Sequence, residues 1–138
     1  MTTKIDKRRV PQIILWSLQI VLALLLLSGA AMKLLMPIED LSKMWAWAGE
    51  VPPAFVRFIG GVDLLGAVGI VLPLQLAGRF NAMAISGAGI VALMISASIF
   101  HIQRGEGSEI GINIVVGFIA AFVAWKRWNA PVDLLRFC

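Results

Sequence analysis

The sequence predicts an all-α membrane fold: a four-helix transmembrane bundle with a short interfacial helix in the first outer loop. Three observations predict it. Of 138 residues, 59% are hydrophobic and the mean hydropathy is +0.88, whereas soluble domains carry about 45–50% apolar residues. Four apolar runs, at about 12–36, 54–73, 79–102 and 110–126, can each cross a hydrocarbon core roughly 30 Å thick, which takes about 20 helical residues. None of them alternates apolar and polar residues over roughly ten positions, as a transmembrane β-strand would. Residues 1–138 are therefore expected to form one membrane domain.

The first span follows a basic head, Lys4-Ile5-Asp6-Lys7-Arg8-Arg9, and Pro11. Its apolar stretch, Gln12 to Leu35, exceeds the about 7–15 residues of a cleavable signal segment, so it is expected to stay as a span. Pro52-Pro53 opens the second span and Pro73 closes it, in line with proline's tolerance in a first helical turn and its exclusion from helix interiors. After the linker 74–78, the third helix is expected from Arg79 or Phe80 to about Ile102. A polar hairpin, Gln103 to Glu109, then leads into the fourth, from Ile110 to about Trp125.

The first outer loop is the longest. Its segment Leu41 to Ala48 is apolar and aromatic enough to lie in the interface as a short helix capping the bundle, with Trp45 and Trp47 at headgroup level. Trp16, Trp125 and Trp128 are expected to form the aromatic belt on the opposite side. Small residues recur where helices should touch, among them Gly60 and Gly66 on the second span, Gly87 and Gly89 on the third, and Asn113 and Gly117 on the fourth.

Lysine and arginine set the orientation. The N-terminal segment, the 74–78 linker region and the C-terminal segment hold Lys4, Lys7, Arg8, Arg9, Arg79, Lys126, Arg127 and Arg136, against Lys33, Lys43, Arg57 and Arg104 on the other side. The positive-inside rule then puts both termini in the cytoplasm. The net charge of +4 and pI near 9.9 are thus topology signals flanking the spans, and nucleic acid is not an expected partner. With one cysteine, Cys138, and one histidine, an intrachain disulfide, a Cys-x-x-Cys pair, a Cys/His zinc site and bis-histidine haem have no support; no metal site is expected.

Asp63 is the most informative residue, near the middle of the second span and about 15 Å from either end. A carboxylate at that depth costs a few kcal/mol, so it should face the interior with a partner. Lys33 is the best one: it leans back toward its own helix N-terminus, into the membrane, while Asp63 on the antiparallel helix leans up to meet it. Arg57, His101, Glu106 and Glu109 fall on the same side, so six ionisable groups can surround one outward-facing cavity. Asp63 and His101 are the candidate catalytic residues; Lys33, Arg57, Glu106 and Glu109 are the candidate ligand-binding residues. Each has a plainer reading. Lys33 can snorkel, Arg57 can anchor the interface, His101 can be an interfacial polar residue, Glu106 and Glu109 can be solvated, and Asp63 can form an ion pair that only locks the bundle. Gln12, Gln19 and Asn81 are assigned packing or interface roles at the cytoplasmic side.

Gly29-Ala30-Ala31-Met32-Lys33-Leu34 at the end of the first span, Arg57 to Pro73 across the second, then Met94, His101, Glu106 and Phe122 to Arg127 resemble the DoxX-like group of small four-helix membrane proteins. Asp63 stands where that group usually has glutamate, which keeps the charge and shortens its reach. The resemblance implies an integral protein of the bacterial cytoplasmic membrane linked to quinone or thiol redox metabolism. In that role the chain is an accessory or anchoring subunit for a membrane-associated oxidoreductase, or it binds a lipophilic small molecule in the outward-facing pocket, with quinone as the cofactor to look for. Two alternatives stay open: a small membrane enzyme performing acid–base chemistry on a lipid-like substrate, and a small transporter. Whether the chain is an enzyme, and whether it forms a homo-oligomer in the lipid bilayer, also stay open.

Overall fold

The computed structural model describes residues 9–72, 75–76 and 80–129. Four long helices are apolar enough to cross a membrane: α1 (Arg9–Leu35), α4 (Pro53–Val71), α5 (Ala82–Gln103) and α6 (Gly107–Trp128). Between α1 and α4 lie two short helices, α2 (Ile38–Met44) and α3 (Trp47–Glu50), and a two-residue antiparallel pair, β1 (Gln75–Leu76) with β2 (Phe80–Asn81), joins α4 to α5. The end that carries α2 and α3 is called the capped end below, and the other the terminal end.

The helix boundaries follow from local chemistry. α1 stops ahead of Pro37, and α4 starts on Pro53 in its first turn and ends at Val71, with the extended Leu72 as its C-cap ahead of Pro73. α5 begins at Ala82, later than the sequence suggests. Phe80 and Asn81 pair with β1, and the Asn81 side chain accepts from the Met83 amide at 3.0 Å as an N-cap. Arg79 lies outside the described residues. The polar hairpin is shorter than expected, because α5 closes in a Schellman turn: Glu106 N–H reaches His101 O at 2.9 Å and Gly105 N–H reaches Ile102 O at 3.1 Å. Gly105 takes φ +73°, which a side chain would resist, and α6 can start at Gly107.

The single interfacial helix expected over Leu41–Ala48 is two helices broken at the extended Trp45. Leu41, Ala48 and Val56 are buried together there and hold the cap down on α1 and α4. α1 pairs closely with α4, and α5 with α6. At Gly60 a Cβ would lie 2.9 Å from Lys33 Cβ, and at Gly87 one would lie 2.9 Å from Ala124 Cβ and 3.1 Å from the Ala120 carbonyl. Glycine is what lets each pair approach this far. Leu22, Leu26, Ala67, Ile70, Ile90, Val116, Ala120 and Val123 fill the centre, while the outward faces stay apolar, as a bilayer requires.

One belt assignment is corrected. Trp16 is only 8% exposed and lies under Arg127, whose guanidinium carbon is 4.8 Å from its ring. Trp125 and Trp128 are the exposed tryptophans of the terminal end.

Candidate functional site

On α4 the buried residues are Val56, Gly60, Asp63, Ala67 and Ile70, one face repeating at helical period, so Asp63 enters the bundle in phase with its apolar neighbours. Lys33, in the last turn of α1, donates from Nζ to Asp63 Oδ2 at 2.7 Å. Its ammonium also stands 5.1 Å from the centre of the Trp45 ring, within cation–π range. The two side chains are 14% and 6% exposed, so the pair is largely withdrawn from solvent and is neutral as a unit.

The pair forms one wall of a cavity of about 370 Å³ at the capped end. Trp45 and Trp47 roof it, half-buried and turned inward, stacked at 6.5 Å. Phe100 of α5 meets Trp47 edge-on at 6.0 Å. Ser96 and His101 of α5 and Glu109 and Asn113 of α6 complete the polar lining. Such a site, mostly apolar with a few convergent polar groups, is typical of small-molecule binding.

His101 is held by Glu106, with Nδ1 to Oε2 at 2.8 Å, and Nε2 is the ring nitrogen that remains for a ligand. Glu106 also accepts from Arg104 Nε at 3.0 Å, and Arg104 reaches across to Glu50 Oε2 at 2.6 Å. This clasp ties the end of α3 to the α5–α6 turn. The hydrogen bond from Arg104, then that with His101, holds the Glu106 carboxyl below its ordinary value, and Arg104 does the same to Glu50; the two carboxylates in turn raise Arg104. Because both carboxyl pKa values are depressed on folding, the clasp stabilises at pH above their ordinary 4.5 and is lost as pH falls below it. The thermal midpoint in detergent should therefore drop between pH 5 and 3 more steeply in the wild type than in Arg104→Met, with the two curves closest at the acid end.

Lys33, Asp63, His101 and Glu109 thus share the cavity, and two other expected residues do not line it. Arg57 donates to the Lys33 carbonyl, and to that of Met36 at 2.8 Å. Pro37 has no N–H to offer the Lys33 carbonyl, and the guanidinium takes its place at the end of α1. Glu106 acts on the cavity only through His101.

Sequence reasoning also missed residues. Trp45, Trp47 and Phe100 wall the cavity, and Asn113, read as part of a packing seam, lines it. Among the described residues, Asn113 Nδ2 is the buried side-chain nitrogen or oxygen without a hydrogen-bond partner. The available signal was spacing: Asn113 lies one turn from Glu109, on the same side of α6.

A family model described as the DoxX-like family matches residues 17–123. The chain belongs to the DoxX-like family. No curated protein and no solved structure matches it. This DoxX-like chain is an integral membrane protein with four apolar helices among its described residues, and its matched segment contains Lys33, Asp63, His101, Glu109 and Asn113.

The DoxX-like bundle has a second polar cluster at the terminal end, where the sequence suggests only packing or interface roles for Gln19 and Asn81. Arg127 is fully buried and donates from Nε to Gln19 Oε1 at 2.8 Å. Gln19 donates to the Ile70 carbonyl, and Asn81 to the Arg127 carbonyl at 2.9 Å. Val116, Ala120, Val123 and Arg127 share the buried face of α6, so the helical period was the signal for this residue too.

Proposed function

We propose that this DoxX-like protein holds a lipophilic molecule with a planar, acceptor-bearing head, of the quinone class, in the capped cavity, as an accessory or anchoring subunit of a membrane oxidoreductase. One observation carries the reading: Asn113, whose buried Nδ2 has no hydrogen-bond partner, lines the same aromatic-walled cavity as the neutral Lys33–Asp63 pair. A buried donor left unpaired costs about 1–3 kcal/mol, which a carbonyl or hydroxyl oxygen on a ligand would offset. Aromatic walls suit a flat ring, and a neutral ion pair suits an uncharged head. The oxidoreductase link rests on the family resemblance. The lysine and arginine asymmetry supports a bacterial cytoplasmic membrane orientation with both termini inside and the capped end outward.

Purification in mild detergent, followed by mass spectrometry of bound lipids and proteins, tests this. The wild type should carry a quinone-class lipid and an oxidoreductase partner. Asn113→Leu should lower quinone occupancy about tenfold, as the loss of one hydrogen bond to a ligand predicts. A wild type that carries no lipophile and binds no added benzoquinone sinks the reading.

The His101–Glu106 pair favours a second reading, acid–base chemistry on a lipid-like substrate, since a histidine oriented by a carboxylate faces the same cavity as Asp63. Lipid extracts incubated with wild type should then differ from those incubated with Asp63→Asn or His101→Gln. Identical extracts rule it out.

A further inference from the structure

One helical turn below the capped cavity, the seam between α4 and α5 holds a second hollow, of about 190 Å³. Its walls include Val62, Leu65 and Gly66 of α4 and Gly89, Ile90 and Leu93 of α5. Leu93 belongs to both hollows. On α4, Ile59 and Asp63 line the cavity while Val62, Leu65 and Gly66 line the groove, so the two spaces follow each other along the same helices.

The groove opens sideways. α4 and α5 meet along a shorter seam than α1 with α4 or α5 with α6. Leu65 and Gly89 are exposed on the face that meets hydrocarbon, and a Cβ built on Gly89 would find no atom within 4 Å. On the water side the Trp45–Trp47 roof and the Glu50–Arg104–Glu106 clasp cover part of the cavity, and the exposed Glu109 edges the rest.

We infer that the α4–α5 groove holds the hydrocarbon tail of the cavity's ligand and is the side door by which that ligand passes between bilayer and cavity. The ligand class is therefore a single-tailed amphiphile: a compact head with acceptor oxygens and one alkyl or isoprenoid chain. A hollow of about 190 Å³ takes one hydrocarbon chain and not two. A molecule dissolved in the membrane would reach the cavity without its tail ever meeting water, and its head would leave hydrocarbon for Lys33, Asp63 and Asn113. This inference rests on the proposed ligand binding and adds the tail, the route and the ligand class.

The test compares two probes on the full chain in detergent: 2,3-dimethoxy-5-methylbenzoquinone and the same ring with a decyl tail. Binding is read by quenching of the roof tryptophans and corrected for partition into micelles. Since micelle and groove are both apolar, the tail gains mainly packing contacts, and the wild type should prefer the tailed ring by about tenfold. Gly89→Leu directs a side chain into the groove from a position where an added Cβ meets no atom within 4 Å; it should bring that ratio close to one and leave the tail-less affinity unchanged. Gly111→Leu, at an exposed α6 glycine whose added Cβ also meets nothing, should keep the full ratio. Gly89→Ala, a milder filling, should give an intermediate ratio and keeps the test readable if leucine lowers the yield. A Gly89→Leu protein that still shows the wild-type ratio, or a wild type that binds both rings equally, overturns the tail groove and leaves the cavity reading standing. A wild type that binds neither ring overturns both.

Discussion

Asp63→Asn should destabilise the bundle by about 3 kcal/mol, because it leaves the Lys33 ammonium in a largely buried site without its counter-charge. Lys33 cannot simply swing out to water. Its stem lies against Gly60, where even a Cβ would approach it to 2.9 Å, and its head sits under Trp45. If Lys33 were only a snorkelling helix-end lysine, the same substitution would cost no more than the about 0–1 kcal/mol of an exposed pair. Unfolding in detergent, run as a double-mutant cycle with Lys33→Met, separates the two. Lys33→Met combined with Asp63→Leu should regain most of the lost stability, since replacing a buried pair by apolar residues of similar size is often close to neutral. That double variant should still lose affinity for the benzoquinone ring. Recovery of stability without recovery of binding would show that the pair serves the ligand as well as the fold.

Arg127→Met should cost about 2–4 kcal/mol, while Lys126→Met next to it should cost less than about 0.5 kcal/mol. Arg127 is fully buried, donates to Gln19 and covers the Trp16 ring. Removing it strands the Gln19 carbonyl oxygen and opens space at the terminal end. Lys126 is exposed and rests on the outer faces of Phe122 and Trp125. Thermal unfolding of the two single variants under one detergent condition is the measurement. Equal effects would mean that Arg127 is a topology charge like its neighbour.

Much of this was legible from the chain. The four spans follow from run length, and their ends from Pro37, Pro52, Pro53, Pro73 and the Gly105 turn, because proline and glycine act on the backbone of their own residue and its immediate neighbours. The Lys33–Asp63 contact was legible as well, since antiparallel helices tilt two such side chains toward each other. Other residues misled. Arg57 looks like a ligand-binding cation until the Lys33 carbonyl, deprived of an N–H by Pro37, is seen to claim it. Trp16 and Arg127 look like rim residues until α6 is followed two residues farther than hydropathy suggests, to Trp128.

The four crossings, their breaks and the depth of Asp63 were determined by the sequence alone, because hydrophobic length and backbone chemistry are local properties. Which polar groups share a cavity was decided only in the tertiary structure. Helical period says which residues share a face, but it does not say how far one helix is rotated against the next or how closely they approach. Those quantities are set by contacts between distant segments, such as Gly60 against Lys33 and Gly87 against Ala124. They place Asn113 beside the Lys33–Asp63 pair's cavity, and they leave the α4–α5 seam open to the bilayer.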